Sequence, residues 1–208
     1  MERTEGIRYG DILLNIDENG DKLLLFVTMT NLHRDKCSGK TYIIGNNRIE
    51  YFQNYEVTSE DLPNYVIISP KVMRDAVLDI KSMIGHATSI IKPCRISKKK
   101  KDFFKAYFTV TGDAFITRGT IFDDGDVYED RVIKIGNDYF GDHPTLCEAE
   151  IRDSDSFYIS EKTYNKVQDM FNHLYKILDE ALMKEFWIQV RKFVRNWREL
   201  YTETPIEP

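Results

Sequence analysis

Residues 160–201 have the sequence SEKTYNKVQDMFNHLYKILDEALMKEFWIQVRKFVRNWRELY, which contains neither glycine nor proline. Ser160 is a residue type whose side-chain oxygen caps the N-terminus of a helix. After it, apolar residues recur every three or four positions, which is the period of one helix face. They are Tyr164, Val167, Phe171, Leu174, Leu178, Leu182, Phe186, Val190, Phe193, Trp197 and Leu200. The segment therefore predicts a long C-terminal amphipathic helix.

The length of this helix raises a question about its surroundings. It would be roughly 60 Å long, whereas a compact domain of this chain length is about 45 Å across. We expect either a break near Asp179 and Glu180 or a helix that extends beyond the domain. Further along, Met183, Trp187 and Ile188 add apolar side chains outside the stripe. Two interpretations stay open: the helix is wedged between the sheet and another helix, or it offers a surface for self-association or a partner.

The second interpretation leads to a functional hypothesis. Tryptophan and arginine contribute strongly to the energetics of protein interfaces, so we expect these residue types near the end of the helix to make the contacts. The predicted contact residues are Trp187, Arg191, Phe193, Arg195, Trp197 and Arg198. The sequence thus favours a non-enzymatic protein-interaction module that acts through its C-terminal helix and charged surfaces. An adaptor or inhibitor of the kind that phages and other mobile elements encode fits this hypothesis, with another protein or a second copy in a homodimer as partner.

The first half of the chain is rich in strand signals. Tyr9 to Asn31 predicts a hairpin, because Asn19-Gly20 tolerates the positive φ angles of a tight turn. Further strands are expected at 41–44, 48–57 and 65–68, and residues 37–40 are expected to form a polar turn. A helix is then predicted from Pro70 to Ile84, with Gly85 as its stop.

The second half shows the same kinds of signal. Strands are expected at 103–110, 114–122, 127–135, 146–151 and 157–159. The predicted fold class is α+β, with antiparallel sheets and two helical segments. The predicted division is a strand-rich half at 1–92 that ends in a helix, a basic linker or loop at 93–102, and a strand-rich half at 103–208 that ends in the long helix. The two halves could equally form one integrated domain.

Short stretches of the two halves match at a constant spacing. Ile44-Gly45-Asn46 recurs as Ile135-Gly136-Asn137, and Ile68-Ser69 recurs as Ile159-Ser160, each 91 residues later. Two interpretations stay open: the halves are pseudo-repeats of one unit, or similar turns and helix caps select similar residues.

Composition restricts the class of protein. The chain has 208 residues, 42% of them hydrophobic, which is enough for a sizeable core. The charged N-terminus does not resemble a secretory signal, and no run of 18 apolar residues occurs. Three separated cysteines, Cys37, Cys94 and Cys147, suggest neither a disulfide framework nor a zinc site. We therefore expect a soluble cytoplasmic protein without a membrane segment.

The charged residues occur in blocks, and the basic block offers an alternative function. Lys92 to Lys105 contains seven basic residues and one acidic residue. Lysines neutralise phosphates, and nearby aromatic residues such as Phe103 and Tyr107 stack on bases. The candidate nucleic-acid contacts are Lys98, Lys99, Lys100, Lys101 and Lys105. The same block could instead bind the acidic segment Asp123 to Asp130.

That acidic segment is the basis of a second alternative, a metal-dependent hydrolase. Its carboxylates could gather oxygen ligands for a divalent cation, although Asp124-Gly125 is also a strong hairpin turn. The sequence contains no nucleophile elbow, zinc-binding helix motif or dinucleotide fingerprint. We therefore assign no catalytic residue, no metal ligand and no cofactor.

Overall fold

The computed structural model of the chain describes residues 7–31, 36–95, 101–123, 125–144 and 151–202, without the side chains of 31, 130, 151–155 and 197–202. The strands are β1 (Ile12–Ile16), β2 (Lys22–Asn31), β3 (Lys36–Gly45), β4 (Arg48–Thr58), β5 (Val66–Ile68), β6 (Asp102–Thr109), β7 (Ala114–Ile121), β8 (Val127–Ile135), β9 (Tyr139–His143) and β10 (Ile151–Tyr158). The helices are α1 (Pro70–Ile90) and α2 (Glu161–Thr202). A large antiparallel sheet and a long final helix confirm the predicted α+β class.

Residues that tolerate positive φ set the hairpin turns. Gly20 has a φ of +84° between β1 and β2, and the Asp17 carboxylate accepts the backbone N–H groups of Asn19 and Asp21 at 2.9 and 2.8 Å. Between β3 and β4, Asn46 and Asn47 have φ values of +48° and +56°. Two successive left-handed residues are typical of the tight turns that join antiparallel strands. The predicted turn at Asn19-Gly20 is confirmed.

The described strands pair in the order β10-β6-β7-β8-β9-β4-β3-β2-β1-β5. β1 to β5 followed by α1, and β6 to β10 followed by α2, are the same sequence of elements. In each set the fifth strand pairs antiparallel with the first, β5 with β1 and β10 with β6. At the β4–β9 pairing, Ile49 lies opposite Phe140, and these residues are again 91 positions apart. The order and pairing of the described strands therefore repeat in the two halves. Both interpretations of the sequence matches stay open.

Contacts divide the chain into two compact units. The first takes its residues from 1–43, 52–75 and 178–208, and the second from 44–51 and 76–177. Each helix therefore begins in one unit and ends in the other, α1 changing after Asp75 and α2 after Ile177. The predicted division into halves at 1–92 and 103–208, joined by a linker or loop at 93–102, stays a prediction.

The first unit has a core of side chains from its strands and the turn before β5. Its buried cluster consists of Leu13, Leu25, Val27, Cys37, Val57 and Leu62. Residues 37–40 belong to β3, so the expected polar turn is wrong. A Cβ at Gly39 would lie 1.8 Å from the Phe26 carbonyl oxygen. Gly39 is thus where the β3 and β2 backbones approach too closely for any side chain.

The second unit has a core between its strands and the first part of α2. Phe115, Ile133 and Phe140 are almost completely buried, and the Phe140 ring meets the Phe171 ring of α2 edge-on at 5.3 Å. β9 contributes Phe140, yet the sequence analysis did not predict a strand there. β9 is short and contains Gly141 with a φ of +139°, so its sequence lacks a clear strand pattern.

The two helices differ from expectation in different ways. Ser160 caps α2, because its Oγ accepts the Thr163 N–H at 3.1 Å, and α2 continues past Asp179 without a break. Gly85 does not end α1, which runs on to Ile90. A glycine inside a helix costs about 1 kcal/mol relative to alanine. Complete burial of Ala87 two residues later offsets that cost, which local sequence rules do not include.

Candidate interaction surface on the C-terminal helix

The apolar stripe of α2 becomes more exposed toward its C-terminal end. Leu178 and Leu182 are 2% and 0% exposed, so this part of the helix is fully packed within its unit. Phe186 and Val190 are half-buried, and Phe193 is 53% exposed. The stripe therefore leaves the core after Leu182, while the helix itself continues.

The predicted contact residues lie on this exposed part. Trp187 and Phe193 are 48% and 53% exposed. Arg191 and Arg195 are also exposed. The apolar residues Ile188 and Val194 on the same stretch are 36% and 41% exposed. Trp197 and Arg198 belong to α2, but their side chains lie outside the described part of the chain. The described contact residues thus share one stretch of helix that is not sealed within its own unit.

An ion pair lies just before this stretch of α2, and a ring contact lies within it. The Lys22 ammonium of β2 donates to the Asp179 carboxylate of α2, and the Lys22 side chain is only 7% exposed. The Trp187 ring meets the Phe186 ring nearly edge-on, with centroids 5.7 Å apart. Edge-to-face ring pairs of this kind are favourable beyond simple area burial. Because the aromatic side chains lie on a helix that is already formed, binding would cost little backbone entropy of this segment.

A groove of about 1120 Å³ lies beside this helix within the first unit. One wall is Phe186–Asn196 of α2, and the other consists of residues around β1 and the Leu62–Ile67 segment that leads into β5. Ile67 is 49% exposed at this wall. The sequence analysis predicted a strand at 65–68 but not the groove, because the strand pattern does not indicate which helix lies beside it.

The groove has an acidic rim and a mostly apolar interior. Asp17 and Glu18 are exposed at the rim, whereas Lys192 is the basic residue that α2 contributes. Within the groove, burial raises the pKa of the Tyr65 phenol to about 12, assisted by nearby Tyr55 and opposed by a hydrogen bond with Asn15. Tyr65 therefore remains a neutral phenol at physiological pH.

One described member of the basic block, Lys101, contacts the protein's own acidic hairpin. Lys98, Lys99 and Lys100 lie outside the described residues. The Lys101 ammonium pairs with the Asp123 carboxylate at 2.8 Å, and both side chains are exposed. The Lys105 ammonium lies 4.4 Å from the centre of the Tyr107 ring, whose hydroxyl donates to Glu129 at 2.6 Å. Burial, and then the hydrogen bond to Glu129, raise the pKa of Tyr107.

The acidic segment forms the tip of the β7–β8 hairpin. Asp123 and Asp126 are exposed on either side of Gly125, which has a φ of +93°. Asp124 and the side chain of Asp130 lie outside the described part. Among the residues that the structure does describe, no group of three or more histidine, cysteine, aspartate or glutamate side chains could hold a metal ion. The hydrolase hypothesis therefore stays a prediction.

Comparisons with protein-family models, with curated proteins and with solved structures find no match for this chain. No helix within the described ranges has the length and apolar character needed to cross a membrane. The functional argument therefore depends on the surfaces described above.

Proposed function

We propose that the protein is a non-enzymatic interaction module that binds another protein chain through the exposed end of α2. The observation that carries this proposal is the exposure of Trp187 and Phe193, each about half accessible on the same rigid helix. Arg191 and Arg195 are exposed on the same stretch of helix. Trp197 and Arg198 continue the same segment in sequence.

Physical reasons support this assignment. Covering a large apolar side chain is favourable by roughly 25 cal/mol per Å² of area removed from water. Few residues usually account for most of the binding energy in an interface, and tryptophan and arginine are prominent among them. A helix that is already folded also avoids the ordering cost that a flexible segment would meet on binding.

A capture experiment with matched variants tests the proposal. The full chain is immobilised, exposed to a lysate of its source cells, and the captured proteins are quantified by mass spectrometry. The double substitution Trp187→Ala/Phe193→Ala is expected to weaken binding of a specific partner by at least about 30-fold, because even one hot-spot residue contributes about 2 kcal/mol or more. Leu78→Ala is the control, since Leu78 is 58% exposed on the other helix.

Solution mass provides the complementary measurement. A mass that doubles for the wild type but not for the double variant would identify the partner as a second copy. A monomer that captures the same proteins with and without Trp187 and Phe193 would contradict the proposal. The chain has two tryptophans, so the fluorescence of a Trp197→Phe variant reports on Trp187 alone and follows burial on binding directly.

The two alternatives from the sequence stay predictions. Nucleic-acid binding through Lys92–Lys105 requires an affinity that falls steeply with salt concentration. It would also have to compete with the Lys101–Asp123 pair. The hydrolase hypothesis requires a divalent cation at Asp123–Asp130, which calorimetric titration would detect.

A further inference from the structure

The outer edge of the sheet in the second unit is contacted by the chain itself. β10 pairs with β6 through a hydrogen bond from the Ile159 N–H to the Phe104 carbonyl at 2.9 Å. Since successive residues of an antiparallel strand face opposite neighbours, the N–H and C=O of Tyr158 face away from β6. The Tyr158 carbonyl accepts the N–H of Cys94 at 2.8 Å. Residues 91–95, which follow α1, therefore meet this edge at Tyr158.

The equivalent edge in the first unit is at Ile67, which lies 91 residues before Tyr158. Ile67 is opposite Leu13 in the β5–β1 pairing. The Val27 N–H donates to the Asp11 carbonyl, and the Asp17 N–H donates to the Asp21 carbonyl. By the same alternation, Leu13 directs its backbone groups to β2. The N–H and C=O of Ile67 consequently face away from β1, and β5 is the last strand in the order of the described strands.

The two helices explain why the two edges differ. α1 ends at Ile90, and the chain then turns to run along the β10 edge. The position equivalent to Ile90 in the second half is Ala181, and there α2 continues as helix to Thr202. The residues that would cover Ile67 are thus part of a helix. The result is the groove of about 1120 Å³ between β5 and Phe186–Asn196.

The segment that covers the β10 edge indicates what kind of chain fits the β5 edge. It consists of Ile91-Lys92-Pro93-Cys94-Arg95, in which Ile91 is buried and Lys92 and Arg95 are exposed. The groove at β5 offers apolar walls for side chains like that of Ile91. Its rim carries Asp17 and Glu18, whose charge is complementary to basic residues. Edge strands with a pocket for alternate side chains are a recurrent mode of peptide recognition.

We propose that β5 and the groove beside it bind an extended peptide of a partner protein that combines apolar and basic residues and adds as a strand at Ile67. This inference rests on the proposed interaction function and names the site and the chemistry of the partner. Main-chain hydrogen bonds to Ile67 position the peptide, Val190 and Phe193 contact its apolar side chains, and Glu18 attracts its basic residue.

The test uses the full chain and a fluorescein-labelled peptide with the sequence of residues 89–97, serine replacing the cysteine. Fluorescence anisotropy is expected to give saturable binding with a Kd on the order of 10–100 µM. Methylation of the peptide nitrogen that corresponds to Cys94 is expected to weaken binding at least about 10-fold, because it removes the donor that a strand addition needs.

Two substitutions in the protein locate the site. Ile67→Pro removes an N–H that β1 does not use, and it is expected to weaken binding at least about 10-fold. Phe193→Glu is expected to do the same from the other wall, so the test remains valid if one variant fails to fold. Leu78→Ala is the control, because Leu78 is exposed on α1 and does not line the groove.

Each outcome decides the inference. Binding that is lost with both wall variants and with the methylated peptide supports it. Binding that is insensitive to Ile67→Pro and to methylation overturns it, as does an absence of binding up to about 1 mM peptide. A doubled solution mass that Ile67→Pro abolishes, without peptide binding, overturns it in favour of a second copy at this edge. If partner capture depends on Trp187 while the peptide does not bind, only the groove inference fails and the helix surface stands.

Discussion

Replacement of Asp179 by alanine is expected to destabilise the protein through the buried partner that it leaves behind. The Lys22 ammonium donates to the Asp179 carboxylate, and the side chains are 7% and 36% exposed, respectively. Removing one partner of a fully buried ion pair costs about 3–5 kcal/mol. Because water reaches Asp179, we expect about 2 kcal/mol. For a chain of this size, that lowers Tm by roughly 4–8 °C.

Urea and thermal unfolding of Asp179→Ala and of a double variant measure this effect. The double variant Lys22→Met/Asp179→Leu removes both charges and is expected to be more stable than Asp179→Ala alone, because no buried charge remains unpaired. Asp169→Ala is the control for helix propensity, since Asp169 is exposed on the same helix. If the free energies of unfolding of Asp179→Ala and Asp169→Ala differ by less than about 0.5 kcal/mol, the ion pair does not contribute and the reasoning is wrong.

Further substitutions test the backbone packing at two glycines and the pH dependence of stability at Asp113. Gly39→Ala is expected to cost about 3 kcal/mol or more in urea unfolding, because its Cβ would meet the Phe26 carbonyl, whereas Gly85→Ala in α1 has open space and is expected to stabilise by up to about 1 kcal/mol. An equal loss of unfolding free energy in Gly85→Ala and Gly39→Ala would contradict this account. Burial, and then Asp138, raise the folded-state pKa of Asp113 above 3.8, despite the opposing effect of Lys134. Relative to Asp113→Asn, the wild type is therefore expected to be most stable below pH 3.8 and to lose that stability as the pH rises through the folded-state pKa; a difference between the two that does not change with pH would refute it.

Features that depend on local chemistry could be predicted from the sequence. The turns at Gly20 and at Asn46-Asn47 follow from the few residue types that adopt positive φ at low cost. The start of α2 follows from the Ser160 hydroxyl, which accepts the Thr163 N–H. Turn and cap residues also recur at a fixed spacing of 91 residues, but the sequence alone left open whether this marks a repeat.

Features that depend on tertiary contacts could not be predicted. α1 continues past Gly85 because Ala87 is buried, and burial is not visible in a glycine stop signal. Residues 37–40 form a strand because β2 lies beside them. The same holds for the candidate surface. Apolar residues outside the stripe of α2 pointed to Trp187. The groove could not be predicted, because the sequence does not show that β5 and α2 lie side by side.

The passage of both helices from one unit to the other has a consequence for how the chain melts. Residues 178–202 of α2 belong to the first unit although they follow the second unit in the chain, so a fragment of residues 1–92 would lack the fully buried Leu182. Neither unit is a continuous piece of chain that a single proteolytic cut could release. Interleaved sequence of this kind favours one cooperative thermal transition over two independent ones.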